Sequence, residues 1–264
     1  MPGMPERSSY EPGTPSWVDL ASADPDASAE FYGGLFGWEA TPPNEEFGGY
    51  RQFQLRGKPV AGLAPLMNPG QPAVWSTYFA TNSADETTKR VDDAGGEIMF
   101  APSDVGDLGR MAIFSDIAGA PFGVWEPKEF AGAAVVNEPG TLSWNELATR
   151  HPDDAKHFYP AVFGWNVEDT EMGPMTYTLW KVGDQMIAGM TPMGEGFPSD
   201  VPPHWAVYFA VEDADAAAEK ATSLGGSVTV PPTAIPNMGR FAVLSDPHST
   251  FFSVFESTSP PQGA

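Results

Sequence analysis

Residues 16–38 read SWVDLASADPDASAEFYGGLFGW, and residues 143–165 read SWNELATRHPDDAKHFYPAVFGW. Set against each other at an offset of 127, they are identical at 11 of 23 positions. The same offset carries Ala61-Gly62 onto Ala188-Gly189 and Pro65 onto Pro192. A loop longer by three residues then moves the offset to 130, where Trp75, Tyr78 and Phe79 meet Trp205, Tyr208 and Phe209. Gly109-Arg110, Ser115-Asp116 and Glu126 meet Gly239-Arg240, Ser245-Asp246 and Glu256 at that offset. Self-similarity sustained along the chain marks an internal duplication. It divides the protein into a tail (1–15), a first domain (16–126), a linker (127–141, PKEFAGAAVVNEPGT), a second domain (142–257) and a tail (258–264).

Each domain carries a finer order. Trp17–Ala21 alternates as a strand does, and Asp24-Pro25 reads as a helix N-cap followed by an N1 proline. Ala27, Phe31 and Leu35 follow at a spacing of four until Gly37 stops the helix. Three short strands come next, near Trp38–Ala40, Tyr50–Arg56 and Val60–Leu66. The plan then restarts with a strand at Trp75–Thr81, a helix from Asp85 to Ala94, a Gly95-Gly96 stop and three more strands. The reading is a βαβββ module written twice per domain and four times per chain, an α+β protein.

Composition narrows the functions open to such a chain. A formal net charge of −22 argues against nucleic acid and anionic membrane surfaces, which need clustered Lys and Arg, and favours neutral or cationic ligands. The absence of cysteine excludes disulfides, thiolate nucleophiles and Cys-based zinc sites, and fits a cytoplasmic protein. Neither a signal-peptide core nor an apolar run of membrane-spanning length is visible. No GxSxG elbow, HExxH pair or P-loop occurs, so neither a nucleophile nor a cofactor signal emerges.

The helix-start Asp24, Phe31-Tyr32 seven residues on, and Phe36-Gly37-Trp38 resemble the opening of modules of the vicinal-oxygen-chelate superfamily. Residues 239–247 (GRFAVLSDP) and 118–125 (AGAPFGVW) resemble the module close. The superfamily comprises glyoxalases, bleomycin-resistance proteins and extradiol dioxygenases. The likeness spans residues 16 to 257 and is strongest to actinobacterial two-domain, glyoxalase-like "hydroxylase" members, a mycobacterial culture-filtrate antigen among them. It implies two tandem domains, each a curled sheet around a cleft, with one cleft per domain unless modules are exchanged between halves. The two fused domains fit a monomer, or a homodimer.

Metal-dependent members of such a family place His, Gln or Glu at matching cleft-facing strand positions. Counted from the helix starts and strand ends, those positions hold Trp17, Gly62, Ser76 and Gly123 in the first domain, and Trp144, Gly189, Ala206 and Ser253 in the second. None is a usual ligand, so no cofactor and no standard metal is expected. Glu146 and His204 are the candidate pair for an unusual divalent-metal site in the second domain. His204 reads more readily as a solvated strand-entry residue, and His151, His157 and His248 as surface residues. Glu126 and Glu256 point away from the cleft by alternation, and Arg110 and Arg240 read as partners of local carboxylates.

The expected cleft is therefore aromatic and lined between its rings by small residues. Its candidate lining is Trp17, Phe53, Trp75, Tyr78 and Trp125 in the first domain, and Trp144, Trp180, Trp205, Tyr208 and Phe255 in the second. Asp19 and Glu146, two residues after Trp17 and Trp144, are the candidate acid–base or ligand-fixing carboxylates. Such a lining suits a planar organic molecule, although the same rings could simply fill the barrel. One class of function is a metal-free binder of an antibiotic or related natural product. The other is a lyase, isomerase or oxygenating enzyme of the same fold, with a structural protein bearing vestigial clefts as a third.

Overall fold

A computed structural model describes residues 6–68, 70–173 and 175–258. The parts of the two tails at 1–5 and 259–264 lie outside the described residues. The first domain runs β1 (Pro15–Ser22), α1 (Pro25–Phe36), β2 (Glu39–Ala40), β3 (Arg51–Leu55) and β4 (Lys58–Pro65). It continues with β5 (Val74–Ala80), α2 (Ala84–Asp93), β6 (Glu97–Val105), β7 (Gly109–Ser115) and β8 (Pro121–Pro127). The second repeats the series as β9 (Leu142–Thr149), α3 (Pro152–Phe163), β10 (Asn166–Met172), β11 (Met175–Val182) and β12 (Gln185–Pro192). Then come β13 (His204–Ala210), α4 (Ala214–Ser223), β14 (Ser227–Ile235), β15 (Gly239–Ser245) and β16 (Phe251–Ser257). The βαβββ module thus occurs four times. A short 3-10 turn at Glu45–Phe47 adds to the pattern read from sequence.

Helix ends follow local chemistry. Asp24 accepts from the Ala27 N–H at the start of α1, Pro25 occupies the first turn, and Gly37 ends the helix at φ 76°. Ser83 and Asp213 cap α2 and α4 in the same way. His151 stands at the N-cap of α3 without a side-chain capping bond.

Each domain forms one eight-stranded sheet, in the orders β2-β3-β4-β1-β5-β8-β7-β6 and β10-β11-β12-β9-β13-β16-β15-β14. The two modules of a domain join where β1 runs antiparallel to β5, and β9 to β13. Modules are therefore not exchanged between the sheets. β6 outlasts the strand expected at 97–100 and continues to Val105 through two register shifts, which let it pass Pro102.

The domains share their cores. One apolar cluster joins Leu20, Phe31, Phe53 and Trp75 of the first domain to Phe209, Leu244 and Phe252 of the second. Another joins Phe79, Phe114 and Phe122 to Phe158, Trp165, Trp180 and Trp205. Each cluster includes the Trp and Tyr of a polar relay, and the two relays mirror each other. Trp75 Nε1 donates to Tyr32 Oη (3.0 Å), whose hydroxyl donates to Asp246 Oδ2 (3.3 Å) in the other domain. Trp205 Nε1 donates to Tyr159 Oη (2.9 Å), which donates to Asp116 Oδ2 (3.0 Å). The Phe-Tyr and Ser-Asp pairs of the repeat are thus the two ends of one interdomain contact. The opposite sheet faces carry the clefts.

Candidate functional site

Register decides which side chains reach a cleft. Asp19 pairs with Ser76 on one side and Gly62 on the other, while Trp17 pairs with Tyr78, which pairs with Gly123. Alternation puts this set on one face. In the second domain Glu146 pairs with Ala206 and Gly189, Trp144 with Tyr208, and Tyr208 with Ser253. Trp125 and Phe255 lie two residues beyond Gly123 and Ser253 and share their face.

Four of the aromatic residues expected in the clefts are elsewhere. Trp75 pairs with Leu20, Phe53 with Ala61, Trp205 with Leu147 and Trp180 with Ala188. All four are buried in the cores between the sheets. Each lies an odd number of residues from its cleft-facing neighbour, Trp75 beside Ser76 and Trp205 beside Ala206. Strand alternation therefore turns it to the opposite face.

The carboxylates are held by phenols, including two tyrosines that the sequence reading did not single out. Tyr50 Oη accepts from Trp17 Nε1 (2.8 Å) and donates to Asp19 Oδ2 (3.4 Å). In the second domain Tyr177 Oη accepts from Trp144 Nε1 (3.1 Å) and donates to Glu146 Oε2 (2.7 Å). Tyr208 Oη donates to Glu146 Oε1 (3.1 Å). The signal for the missed pair was present, since the offset of 127 carries Tyr50 onto Tyr177. Gly62 and Gly189 make room for them, because a Cβ at either would collide with the facing phenol. The strand position where the resemblance led one to expect a metal ligand holds a glycine beneath a tyrosine hydroxyl.

Electrostatics follow from this enclosure. Burial raises Asp19 from an ordinary 3.8 to about 7, opposed by hydrogen bonds from Tyr78 and Tyr50. Burial likewise raises Glu146, opposed by Tyr177 and Tyr208. The phenols are themselves pushed up by burial and by the adjacent carboxylate, so they remain donors.

These donors do not fit a divalent metal. Trp, Gly, Ser and Ala stand where the resemblance led one to expect ligands, and Glu146 is a lone carboxylate among them, already accepting from two phenols. His204 pairs with Ala148, and its Nδ1 lies 2.9 Å from the Pro202 carbonyl. Among the described residues no group of three or more His, Asp or Glu side chains is placed to hold an ion. His157 Nδ1 contacts the Asp153 carbonyl at 2.7 Å on its own helix. Glu126 and Glu256 accept from the first N–H groups of α2 and α4, at 2.9 and 3.0 Å. Arg110 pairs with Asp85 and Arg240 with Asp215.

The two clefts differ in access. In the first, Phe130 of the linker lies edge-on to Trp17 with centroids 4.9 Å apart, and its carbonyl accepts from Trp125 Nε1 at 2.7 Å. Trp17, Tyr78 and Trp125 are only 5%, 6% and 8% exposed as a result. In the second cleft Trp144, Tyr208 and Phe255 are all partly exposed. Among the described residues no ring packs against Trp144, Tyr208 or Phe255 as Phe130 packs against Trp17.

Comparison with known proteins agrees with this architecture. The chain matches the model of the Glyoxalase/Bleomycin resistance protein/Dioxygenase superfamily twice, over residues 14–125 and 141–252. It is 44% identical over 260 residues to the "Putative glyoxylase CFP32" of Mycobacterium tuberculosis, covering 96% of this chain and 98% of that protein. It is 46% identical over 262 residues to the "Anthracycline biosynthesis protein DnrV" of Streptomyces peucetius, covering 94% of each. A Mn(II)-bound glyoxalase from Novosphingobium aromaticivorans superposes with a TM-score of 0.64 at 18% identity, over 95% of this chain and 86% of that one. The 2,3-dioxygenase LapB from Pseudomonas sp. KL28 superposes at 0.65 and 14% identity, over 96% of each. At such identities these structures share the fold alone.

Proposed function

The chain belongs to the glyoxalase/bleomycin-resistance/dioxygenase superfamily, and on that footing we propose that it binds a planar organic molecule in the cleft of its second domain without a resident metal. The observation that carries this reading is the difference between the clefts: one is filled by Phe130, while the other presents Trp144, Tyr208 and Phe255 around Glu146. Flat rings suit a polycyclic aromatic, and the carboxylate suits a hydroxyl or ammonium donor. The DnrV relative points to a natural product of the anthracycline type as the first ligand to try. A net charge of −22 favours a neutral or cationic ligand over an anionic one and weighs against nucleic acid or a membrane surface as partner. Among the described residues no helix is long and apolar enough to cross a membrane. A cytoplasmic monomer belongs to the same reading, supported by the absence of cysteine and by the apolar faces that the two domains bury against each other.

An acid–base enzyme acting on the same class of molecule is the second reading. It is favoured by Glu146, whose titration burial raises above the ordinary carboxylate range, beside two phenol donors. Titration with an anthracycline, followed by quenching of tryptophan fluorescence, tests binding. Glu146→Gln turns one accepting oxygen into a donating amide and is expected to weaken the complex by about 10- to 100-fold, as for loss of a hydrogen bond at a buried acceptor. Equal affinity in the variant would contradict the role given to Glu146. Mass spectrometry of the recovered ligand separates the readings, because a binder returns it unchanged and an enzyme does not.

A further inference from the structure

We propose that the first cleft is a latent second site for the same class of planar aromatic ligand, held shut by the chain's own Phe130. The inference rests on the reading of the second cleft given above. The linker crosses the mouth of the first cleft and is fastened along its length. Phe130 N–H donates to the Leu108 carbonyl in the β6–β7 turn (3.0 Å), and Ala133 N–H to Ser16 on β1 (2.8 Å). Tyr10 Oη donates to the Ala133 carbonyl at 2.6 Å. Between these points the Phe130 ring packs edge-on against Trp17 and, at 6.0 Å between centroids, against Trp125.

Behind that ring the cleft keeps the fittings of a binding site. Asp19 sits under Tyr50 and Tyr78 as Glu146 sits under Tyr177 and Tyr208. Were the first cleft only a filled core, a carboxylate at its floor would carry a desolvation cost that its two phenol hydrogen bonds offset only in part. Trp125 Nε1 spends its hydrogen bond on the Phe130 carbonyl, which stands where a carbonyl of a planar ligand would be received. The tethered ring is an internal competitor at an effective concentration of about millimolar, and its contacts to Trp17 and Trp125 and its carbonyl's hydrogen bond set how far it keeps a soluble ligand out.

Gly132 gives independent control of this contact. It adopts φ 125°, and a Cβ there would strike the Ser16 backbone oxygen, so Gly132→Ala should lift the linker from β1 without touching Phe130 or the cleft. The experiment is isothermal titration of the full-length protein with an anthracycline, counting sites in the wild type, Phe130→Ala and Gly132→Ala. Circular dichroism and a cooperative melt show which variants remain folded. The expected result is one more site in a folded variant than in the wild type. In Phe130→Ala the extra site persists when Glu146→Gln is added and is lost when Asp19→Asn is added. A count that does not rise in either variant, or an extra site indifferent to Asp19, overturns the inference. A wild type with no site and a variant with one would overturn the reading of the second cleft while upholding the latent site.

Discussion

Asp19 and Glu146 differ by one methylene and hold the same place in two copies of one design, each beneath a pair of phenols. Their titration makes the enclosure measurable. Asp19 is raised from 3.8 to about 7, so the folded state holds its proton more tightly than the unfolded chain. The stabilising contribution is complete below pH 4 and is lost as the pH climbs through 7. Its size is at most about 4 kcal/mol, from about three pKa units at 1.36 kcal/mol each. Asp19→Asn should therefore flatten the decline in stability between pH 4 and 7, measured by denaturant unfolding across that range. An unchanged slope would mean that Asp19 is not enclosed as described. At this scale the sequence was legible only in part. Its repeat marks Trp17, Tyr78, Asp19 and their counterparts, but Trp75 and Trp205 look equally eligible until one asks on which side of Ser76 and Ala206 they stand. Tyr50 and Tyr177 lie far along the chain from the carboxylates they hold, so only the hairpin register of β3 with β4, or β11 with β12, brings them in.

The elements were more readily legible, because each boundary carries its own chemistry. Asp24-Pro25 starts a helix by capping and preset φ, and Gly37 ends it with a left-handed residue. The continuation of β6 past Phe100 was hidden by Pro102, which ends most strands and here is passed by a bulge. The two faces of β13 give a test of the corrected placement. Trp205 donates to Tyr159 on the core face, whereas Tyr208 donates to Glu146 on the cleft face. Trp205→Phe keeps most of the packing but leaves that hydrogen bond unmade. It should cost about 1 kcal/mol of stability while leaving ligand affinity unchanged. A marked loss of affinity in a stable Trp205→Phe protein would return that side chain to the cleft.

At the scale of the molecule, duplication has produced two sheets that bury their outer faces in each other and turn their clefts apart. Every large apolar cluster between the sheets draws on both domains, and the Tyr32–Asp246 and Tyr159–Asp116 bonds cross the boundary twice. The halves should accordingly unfold together, giving one calorimetric transition whose van't Hoff and calorimetric enthalpies agree. Two separated transitions would show that the domains are independent. The repeat makes two like domains visible in the sequence, but not that linker residue Phe130 makes their clefts unlike. That difference arises from a contact that no described residue of the other copy repeats.

On this reading the second cleft, and not the first, receives the ligand in the native protein. Titration of the Trp144→Ala and Trp17→Ala proteins with an anthracycline, beside the wild type, tests it most directly. The wild type should show one site, retained in Trp17→Ala and lost or weakened at least about tenfold in Trp144→Ala, the scale of one aromatic contact. Binding that survives in Trp144→Ala and disappears in Trp17→Ala would place the ligand in the first cleft and contradict the account.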